Sequence, residues 1–276
     1  MPSILITGCS SGIGLCLAQK LFSRGWEVYA GARKDSDVKR LETLGLQSIK
    51  LDVRDESSIT LALDHVLNLS GGKLDALINN AGYGQPGAIE DLRRGVIIEQ
   101  FETNLFGPMS LTNRVIPIMR RQGSGRIINI SSVLGFAAMP YRGAYNASKF
   151  AIEGWSDTLR MELAHTGINV SLIEPGPILT NFRANSFIAF KQNIEVQKSN
   201  YQNEYTGMLE RLNKKGSTQP FTRPPEAVLE KVIHALESSK PKIRYYVTFP
   251  TYLFAFLRHI LPWKLLDACL RVAGKN

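Results

Sequence analysis

The sequence predicts an α/β fold, a doubly wound parallel sheet of about seven strands with helices on both faces and a helical C-terminal extension. Short apolar runs alternate with helix-length amphipathic segments, which is typical of strand-helix-strand units. The apolar runs are nearly continuous, as expected for strands covered on both faces. Because 276 residues suffice for one large core, we predict a single domain over residues 1–276.

The elements follow one another in a regular order. Strands are predicted at SILIT, EVYAGA, LQSIKLD, LDALINN, GRIINISS, INVSLIEP and KIRYYVTF. Helical segments are predicted over about residues 13–23, 36–44, 56–69, 92–121 and 143–165. A polar segment over about residues 181–222 has no clear helical period, and we predict that it forms an insertion or lid over the sheet edge. The last segment, about 250–276, is rich in apolar residues and forms the extension.

The charge balance is basic, with a net charge of +9 and a sequence pI near 9.5. This excess suits anionic ligands or an anionic membrane surface. The basic residues are scattered along the chain instead of clustering on one element with aromatic residues between them. The sequence therefore predicts no nucleic-acid partner.

Cysteine and histidine spacing argues against disulfide and metal chemistry. The three cysteines show no Cys-x-x-Cys pair, and the four histidines are far apart in sequence. We therefore predict no metal site and a reducing compartment. The first strand starts at about Ser3, which leaves no room for a signal peptide, so we expect a cytoplasmic protein.

The first strand is followed by the loop TGCSSGIG (residues 7–14), which opens a helix. Glycines in this context allow a tight turn, the close approach of a pyrophosphate, and close packing of helix on strand. The helix N-terminus adds free N–H groups and the positive end of a dipole. A glycine-rich connection without a ligand has the same composition, so this loop alone does not decide between the two interpretations.

Five further motifs follow this loop. They are NNAG (79–82), TNLFG with Asn104, GRIINISS ending at Ser132, YNASK with Tyr145 and Lys149, and PGPILT (175–180). In type and order the six motifs resemble the short-chain dehydrogenase/reductase family over about residues 3–180. The resemblance implies a Rossmann-type fold and a nicotinamide-dependent oxidoreductase acting on alcohol or carbonyl groups.

Tyr145 and Lys149 stand four residues apart on a predicted helix, so their side chains share one face. A tyrosine has a pKa of about 10, and a nearby ammonium favours the phenolate. The pair could therefore trade a proton with a substrate oxygen near neutral pH. An aromatic residue and a solvated charge also occur at this spacing without function. Ser132, thirteen residues upstream of Tyr145, matches the family spacing and favours the catalytic interpretation.

Two further residues are predicted to act beside this pair. Ser132 is expected to hydrogen-bond the substrate carbonyl, while strand alternation directs Ser131 to the other face. The resemblance implies that Asn104 bends its helix and holds a water in a proton relay leading to Lys149. An asparagine that only satisfies local backbone groups is the alternative.

The cofactor preference is argued from charge. NAD-preferring folds usually place Asp or Glu near the end of the second strand, where this chain reads GARKD, with Arg33 and Lys34. A guanidinium can pair with a 2′-phosphate that a carboxylate would repel. We therefore predict NADP(H) as the cofactor, with Arg33 as its main basic contact.

The remaining cofactor contacts come from the resemblance. Asp52 and Val53 match the positions that flank the adenine, and Thr180 matches the residue that binds the nicotinamide carboxamide. The full set of predicted cofactor-binding residues is Gly8, Ser10, Ser11, Gly12, Ile13, Gly14, Arg33, Asp52, Val53, Asn79, Ala81, Gly82, Tyr145, Lys149, Pro175, Gly176, Ile178 and Thr180.

The C-terminal extension bears on the substrate. Charged residues and a proline interrupt its apolar stretch, which argues against a membrane span. Three interpretations stay open: packing on the core or another subunit, lining of a lipophilic pocket, and contact with a membrane surface. The motifs are most similar to the branch with 17β-hydroxysteroid and retinol dehydrogenases and bacterial NADPH-dependent aldehyde reductases. We therefore predict reduction of a small lipophilic aldehyde or ketone.

Two alternatives stay open, one within the enzymes and one of another functional class. One is a 3-oxoacyl-thioester reductase, against which the apolar extension argues. The other is a catalytically silent NADP-binding sensor, which would not need the Ser132, Tyr145 and Lys149 that this chain keeps. The resemblance also implies a homodimer or homotetramer formed through the helices around 92–121 and 143–165.

Overall fold

The strands form one fully parallel sheet. The computed structural model describes residues 1–213, 216 and 220–275. Its strands are β1 Ser3–Ile6, β2 Glu27–Ala32, β3 Gln47–Lys50, β4 Ala76–Asn79, β5 Gly125–Ile130, β6 Ile168–Glu174 and β7 Arg244–Tyr246. Within the described residues the sheet has the order β3-β2-β1-β4-β5-β6-β7. The predicted seven-stranded, doubly wound parallel sheet is confirmed.

Helices connect the strands and extend the chain beyond β7. They are α1 Gly12–Phe22, α2 Asp35–Thr43, α3 Glu56–Leu69, α4 Arg94–Phe101, α5 Gly107–Gln122, α6 Gly143–Glu162, α7 Phe182–Asn193, α8 Gln202–Asn213, α9 Glu226–Glu237, α10 Phe249–Ile260 and α11 Trp263–Lys275. The helical region predicted over 92–121 consists of α4 and α5, joined by a π-helical turn over Glu102–Phe106.

Each face of the sheet is covered by its own hydrophobic core. On one face Ile4 and Ile6 pack with Leu17 of α1 and Val232 of α9. On the other face Leu5 packs with side chains of α3, α5 and α6. Successive residues of a strand point to opposite faces, so these two cores explain why every residue of β1 is buried and why Ile4, Leu5 and Ile6 are all apolar.

The strand order reverses direction between β1 and β4. The loops that leave the carboxyl ends of these two strands therefore part to opposite sides and open a crevice. The loop after β1 contains residues 7–11, and the loop after β4 contains residues 80–88. The functional side chains lie at this edge of the sheet.

The segment predicted as a lid contains α7 and α8. These helices pack on each other through Phe190 and Tyr205, whose ring centroids are 5.0 Å apart and which are both fully buried. The polar composition of the segment hid the narrow apolar stripe that forms this contact. Residues 214, 215 and 217–219 of the predicted lid lie outside the described residues.

The predicted helical C-terminal extension is confirmed as α10 and α11. Leu266 and Leu270 of α11 and Phe254 of α10 are buried against the segment around Val133 and against Tyr145. The extension thus packs on the core beside Tyr145. No helix in the described part of the chain has the length and apolar character needed to cross a bilayer.

Candidate active site

The loop between β1 and α1 brings its backbone unusually close to neighbouring chain segments. Gly8 has φ of +72°, and a Cβ placed on it would lie 2.8 Å from Ala81 Cα. A Cβ on Gly14 would lie 2.3 Å from the Gly8 carbonyl oxygen. Side chains at either position would push the loop away from β4 and α1. The glycines therefore hold bare backbone at the N-terminus of α1, where an anionic group can approach the free N–H groups.

Two polar residues clamp this loop to the segment after β4. Thr7 Oγ1 accepts hydrogen bonds from the backbone N–H groups of Asn80 and Ala81, at 3.0 and 2.9 Å. Asn80 Nδ2 donates to the carbonyl oxygens of Thr7 and Gly8, at 2.9 and 3.1 Å. The cofactor prediction named neither Thr7 nor Asn80, although both belong to the quoted motifs.

Tyr145 and Lys149 lie on one face of α6, as the spacing predicts, and both are buried. Lys149 Nζ lies 5.8 Å from the centroid of the Tyr145 ring and donates a 2.8 Å hydrogen bond to the Ile130 carbonyl oxygen. The ammonium is thus held at the end of β5, beside the phenol ring and not against its hydroxyl. The ring of Phe182 packs edge-on against Tyr145 with centroids 5.4 Å apart.

The pKa of Tyr145 differs from the sequence-based expectation. Burial raises this pKa to about 12, and a hydrogen bond with Ser132 only partly opposes the shift. The expected lowering by Lys149 is wrong for this arrangement, because the ammonium points to the Ile130 carbonyl oxygen. Burial also lowers the pKa of Lys149 to about 8, against the charge of Glu153. At neutral pH the site therefore holds a protonated phenol, which is a proton donor.

Ser132 and Asn104 complete the predicted catalytic group. Ser132 Oγ accepts from the Leu134 N–H at 3.1 Å and is within hydrogen-bonding reach of Tyr145. Asn104 lies in the π-helical turn, and its side chain is fully engaged. Its Nδ2 donates to the Tyr83 carbonyl oxygen at 3.0 Å and to Ser148 Oγ at 3.1 Å, while its Oδ1 accepts from the Tyr83 N–H at 3.1 Å. Asn104 thereby ties the loop after β4 to α6, and the water relay stays a prediction.

The segment after β6 closes the other side of the crevice. The Val133 N–H donates to the Pro175 carbonyl oxygen at 2.8 Å. Gly176 lies against α10, where a Cβ would meet Thr248 Oγ1 at 2.1 Å. Thr180 Oγ1 accepts from the Phe182 N–H at 3.2 Å, so this threonine caps the start of α7.

A cavity of about 610 Å³ joins these parts. Its lining includes fourteen of the predicted site residues: Gly8, Ser10, Ser11, Gly12, Ile13, Ala81, Gly82, Ser132, Tyr145, Lys149, Pro175, Gly176, Ile178 and Thr180. Leu253 and Phe254 of α10 also line it. The extension therefore lines the cavity and also packs on the core. Core packing and pocket lining, which the sequence analysis kept as separate interpretations, are both found in the same helices.

The other predicted site residues lie outside this lining. Asn79 is buried in the sheet, where its Nδ2 donates to Thr112 Oγ1 and Asn129 Oδ1 at 2.9 and 2.8 Å. Its neighbour Asn80 lines the cavity instead. Val53 is a buried residue of the loop after β3 and lies against Gly107, and Gly14 packs against Gly8.

The rim beyond the phosphate loop is basic. Arg33 is exposed directly after β2. Asp52 is bound by Arg54 at 2.8 Å, and this pair, far more than Arg33, lowers the pKa of the Asp52 carboxyl. Arg40 of α2 donates to the Ser10 carbonyl oxygen and adds a second cation at this rim, which the sequence analysis did not single out.

A parallel sheet with a phosphate-binding loop at its switch point, beside a buried Ser, Tyr and Lys, defines a dinucleotide-dependent oxidoreductase. The bare-backbone cradle at Gly8 and Gly14 fits the pyrophosphate of such a cofactor. The family model of the short chain dehydrogenases matches residues 2–189. The chain belongs to this family.

Three comparisons show how the chain relates to other members. It is 44% identical to an uncharacterised oxidoreductase, YbbO of Escherichia coli K12, over 98% of this chain and 94% of that protein. It is 33% identical to human 17-beta-hydroxysteroid dehydrogenase type 1, over 89% of this chain and 77% of the relative. A short chain dehydrogenase/reductase from Burkholderia phymatum in complex with NAD superposes with a TM-score of 0.78 at 26% identity, over 94% of this chain and 92% of that one.

Proposed function

We propose that the protein is an NADP(H)-dependent reductase of lipophilic aldehydes or ketones. The observation that carries this proposal is the buried, protonated Tyr145 beside Ser132 in a cavity with apolar walls. Bound NADPH supplies the hydride that reduces the carbonyl carbon. Ser132 donates a hydrogen bond to the carbonyl oxygen and orients it. Tyr145 gives the proton that completes the alcohol, and Lys149 holds positive charge beside the phenol.

The other predicted residues are assigned to cofactor binding, to the proton path and to the lid. We propose that the N-terminus of α1 holds the pyrophosphate, that Asp52 and Val53 flank the adenine, and that Thr180 and Ile178 border the nicotinamide. We assign Asn104 to the proton path between bulk water and Lys149. The segment α7–α8 acts as a lid, because Phe182 and Ser186 line the cavity above Tyr145.

The cofactor preference is proposed from the basic rim at Arg33 and Arg40. A loss of NADPH absorbance is expected with long-chain aldehydes, retinal and steroid ketones, and a smaller loss of NADH absorbance is expected when NADH replaces NADPH.

Arg33→Ala is expected to raise the KM for NADPH at least about tenfold more than the KM for NADH, since a charge-assisted bond contributes about 1.5–3 kcal/mol. Arg24→Ala, at the far end of α1 and paired with Glu237, is the matched control.

Several outcomes would contradict parts of this proposal. Equal KM values for the two cofactors would remove the NADP assignment. Turnover confined to small polar carbonyls would remove the lipophilic substrate. Turnover of an acyl thioester alone would support the 3-oxoacyl-thioester reductase, and NADPH binding with no turnover of any carbonyl would support the sensor.

The outer face of the extension suggests peripheral membrane contact. Phe256 and Trp263 are 61% and 73% exposed, and Arg258, Lys264 and Arg271 are exposed on the same two helices. Apolar side chains among cations suit an anionic lipid surface. We expect flotation with vesicles that contain phosphatidylglycerol, and loss of flotation on Phe256→Glu combined with Trp263→Glu. Equal recovery of both proteins with the vesicles would contradict this contact and leave a cytoplasmic enzyme without it.

A second exposed apolar face supports a homodimer or homotetramer. Ile98 and Phe106 near α4, and Phe150 and Met161 of α6, are 40–61% exposed. These are the helices that the resemblance assigns to subunit contacts. Light scattering that gives the 30.7 kDa mass of one chain would contradict this proposal.

A further inference from the structure

The cavity continues beyond Tyr145 to two arginines. Arg142 precedes α6 by one residue, and Arg211 lies in the last turn of α8. Both line the cavity together with Tyr145 and the apolar Leu212 and Phe182. Neither belongs to a motif of the sequence analysis, and the proposed reaction uses neither.

No residue of the described chain supplies Arg211 with a compensating negative charge. Burial lowers its pKa, and the positive charge of Arg183 lowers it further. Within residues 1–213, 216 and 220–275, Arg211 forms no ion pair and no hydrogen bond. Arg183 is itself engaged, since its Nη2 donates to the Gly216 carbonyl oxygen.

Arg142 is also partly buried near a like charge, but it forms one hydrogen bond with the protein. Burial lowers its pKa to about 9, and the second cause is the positive charge of Arg211. Its Nη1 donates to the Pro140 carbonyl oxygen at 3.3 Å. The last turn of α11 passes close by, because a Cβ on Gly274 would lie 3.6 Å from this nitrogen. The Pro140 carbonyl oxygen offers a partial negative charge, whereas no carboxylate of the described chain pairs with Arg142.

Two partly buried guanidinium groups of like charge are unfavourable in an apolar cavity. Each carries five N–H donors, and each loses hydration without gaining an anion. Removing both charges would relieve this cost, so packing alone gives no reason for arginine at these positions. An anion entering the cavity would bind both groups and would be held well, since guanidinium forms bidentate bonds with carboxylate and phosphate.

We propose that the substrate of this reductase carries an anionic group, a carboxylate or a phosphate, that binds Arg142 and Arg211. Its hydrocarbon part lies along Leu212 and Phe182, and its carbonyl reaches Ser132 and Tyr145. The substrate class is thus an amphipathic oxo-acid or oxo-phosphate. The inference rests on the proposed carbonyl reduction and adds a specificity site to it.

The first test compares matched substrates. ω-Oxo fatty acids of eight to sixteen carbons are assayed against their methyl esters with NADPH, and a phosphate-ended aldehyde of the best length is added. At the best length, kcat/KM for the anionic substrate is expected to exceed that for the ester at least tenfold. The phosphate-ended aldehyde shows which anion binds better. Equal kcat/KM for the acids and esters at every length, with no preference for the phosphate, would overturn the proposal.

Variants connect the preference to the arginines. Arg211→Met is expected to lower the acid-to-ester ratio severalfold, because only the Arg142 cation remains, and Arg211→Lys is expected to keep more of the preference. Arg121→Met is the matched control. It removes the same charge from the C-terminal turn of α5, which lies near the amino ends of the strands and away from the cavity. An acid-to-ester ratio that persists in Arg211→Met would overturn the proposal.

A binding measurement separates this inference from the proposed reaction. Dodecanedioate is expected to raise the melting temperature of the wild-type protein in the presence of NADPH more than 1,12-dodecanediol does, and Arg211→Met is expected to lose the difference. If this shift is present and no aldehyde is reduced, the proposed reaction fails while the anion site stands. If aldehydes are reduced and the diacid gives no larger shift than the diol, the anion site fails alone.

Discussion

Replacement of Tyr145 by phenylalanine is expected to lower kcat/KM for carbonyl reduction by about a thousandfold. The phenol is the buried proton donor next to Ser132, and its raised pKa of about 12 keeps the proton in place at neutral pH. Phenylalanine keeps the ring that packs on Phe182 and removes only the hydroxyl group. The NADPH dissociation constant and the melting temperature should therefore stay close to the wild-type values, and both are measured beside the kinetics.

Tyr252→Phe is the control for this substitution. It removes the same hydroxyl group from α10 at a side chain that is 50% exposed and outside the cavity lining. A comparable loss of activity in both variants would show that the effect is not specific to the site. Retention of activity in Tyr145→Phe would show that another group supplies the proton.

The same site predicts a pH dependence. Lys149, with a pKa lowered to about 8, is positively charged below that pH and neutral above it. Tyr145 stays protonated throughout this range, so the loss of the ammonium is the change that matters. Because kcat/KM for NADPH reports groups of the free enzyme, it should fall as pH rises through about 8. A rate that increases over this range would contradict the assignment.

Local patterns in the sequence predicted the sheet and the loops of the site. Strand and helix boundaries agree with the prediction to within a few residues, as in α6, which was expected over 143–165 and ends at Glu162. The resemblance implied a bend at Asn104, whereas no local pattern of the sequence identified the turn over Glu102–Phe106 as π-helical.

Sequence motifs did not predict the contacts between elements that are far apart in the chain. Arg142 and Arg211 line the same cavity because α8 packs on the start of α6 through Met208, Leu212 and Ala144, and neither arginine carries a local signal. Likewise, the proximity of Lys149 and Tyr145 followed from the helical spacing, whereas the direction of the ammonium depends on the carbonyl group at the end of β5. The sign of the Tyr145 pKa shift therefore could not be obtained from spacing alone.

A second cluster of this kind links α6, β6 and β7 behind the active site. Arg244 of β7 contacts Asp157 at 2.7 Å, and Glu153 and Glu174 at 3.1 Å each. Glu174 is completely buried at the end of β6, directly before the Pro175 segment. Burial and the charge of Glu153 raise the pKa of Glu174 to about 9, so it holds a proton at neutral pH. In the described part of the chain, Arg244 is the one cation that contacts all three acids.

Arg244→Met is expected to lower the free energy of unfolding at pH 7 by about 3–5 kcal/mol, because it leaves buried acids without their cation. For a chain of this length the melting temperature should fall by roughly 6–12 °C. Arg160→Met is the control, since the one ion pair of Arg160 among the described residues is with Asp157, at 3.5 Å, and the two side chains are 32% and 33% exposed. Its expected cost is below about 1 kcal/mol. Similar losses in the two variants would contradict the special role of Arg244.

Glu174→Gln tests the protonation state of the same cluster. The folded-state pKa of Glu174 lies above its ordinary value of 4.5, so the folded protein binds more protons than the unfolded chain between about pH 4.5 and 9. Its contribution to stability is therefore lost as pH rises across that window.

Glutamine mimics the protonated carboxyl and does not titrate. Urea unfolding should show a shallower decline with pH for Glu174→Gln than for wild type, with the larger advantage of the variant at pH 9. Equal declines in the two proteins over this window would mean that Glu174 is already ionised in the fold at neutral pH, and would contradict the raised pKa.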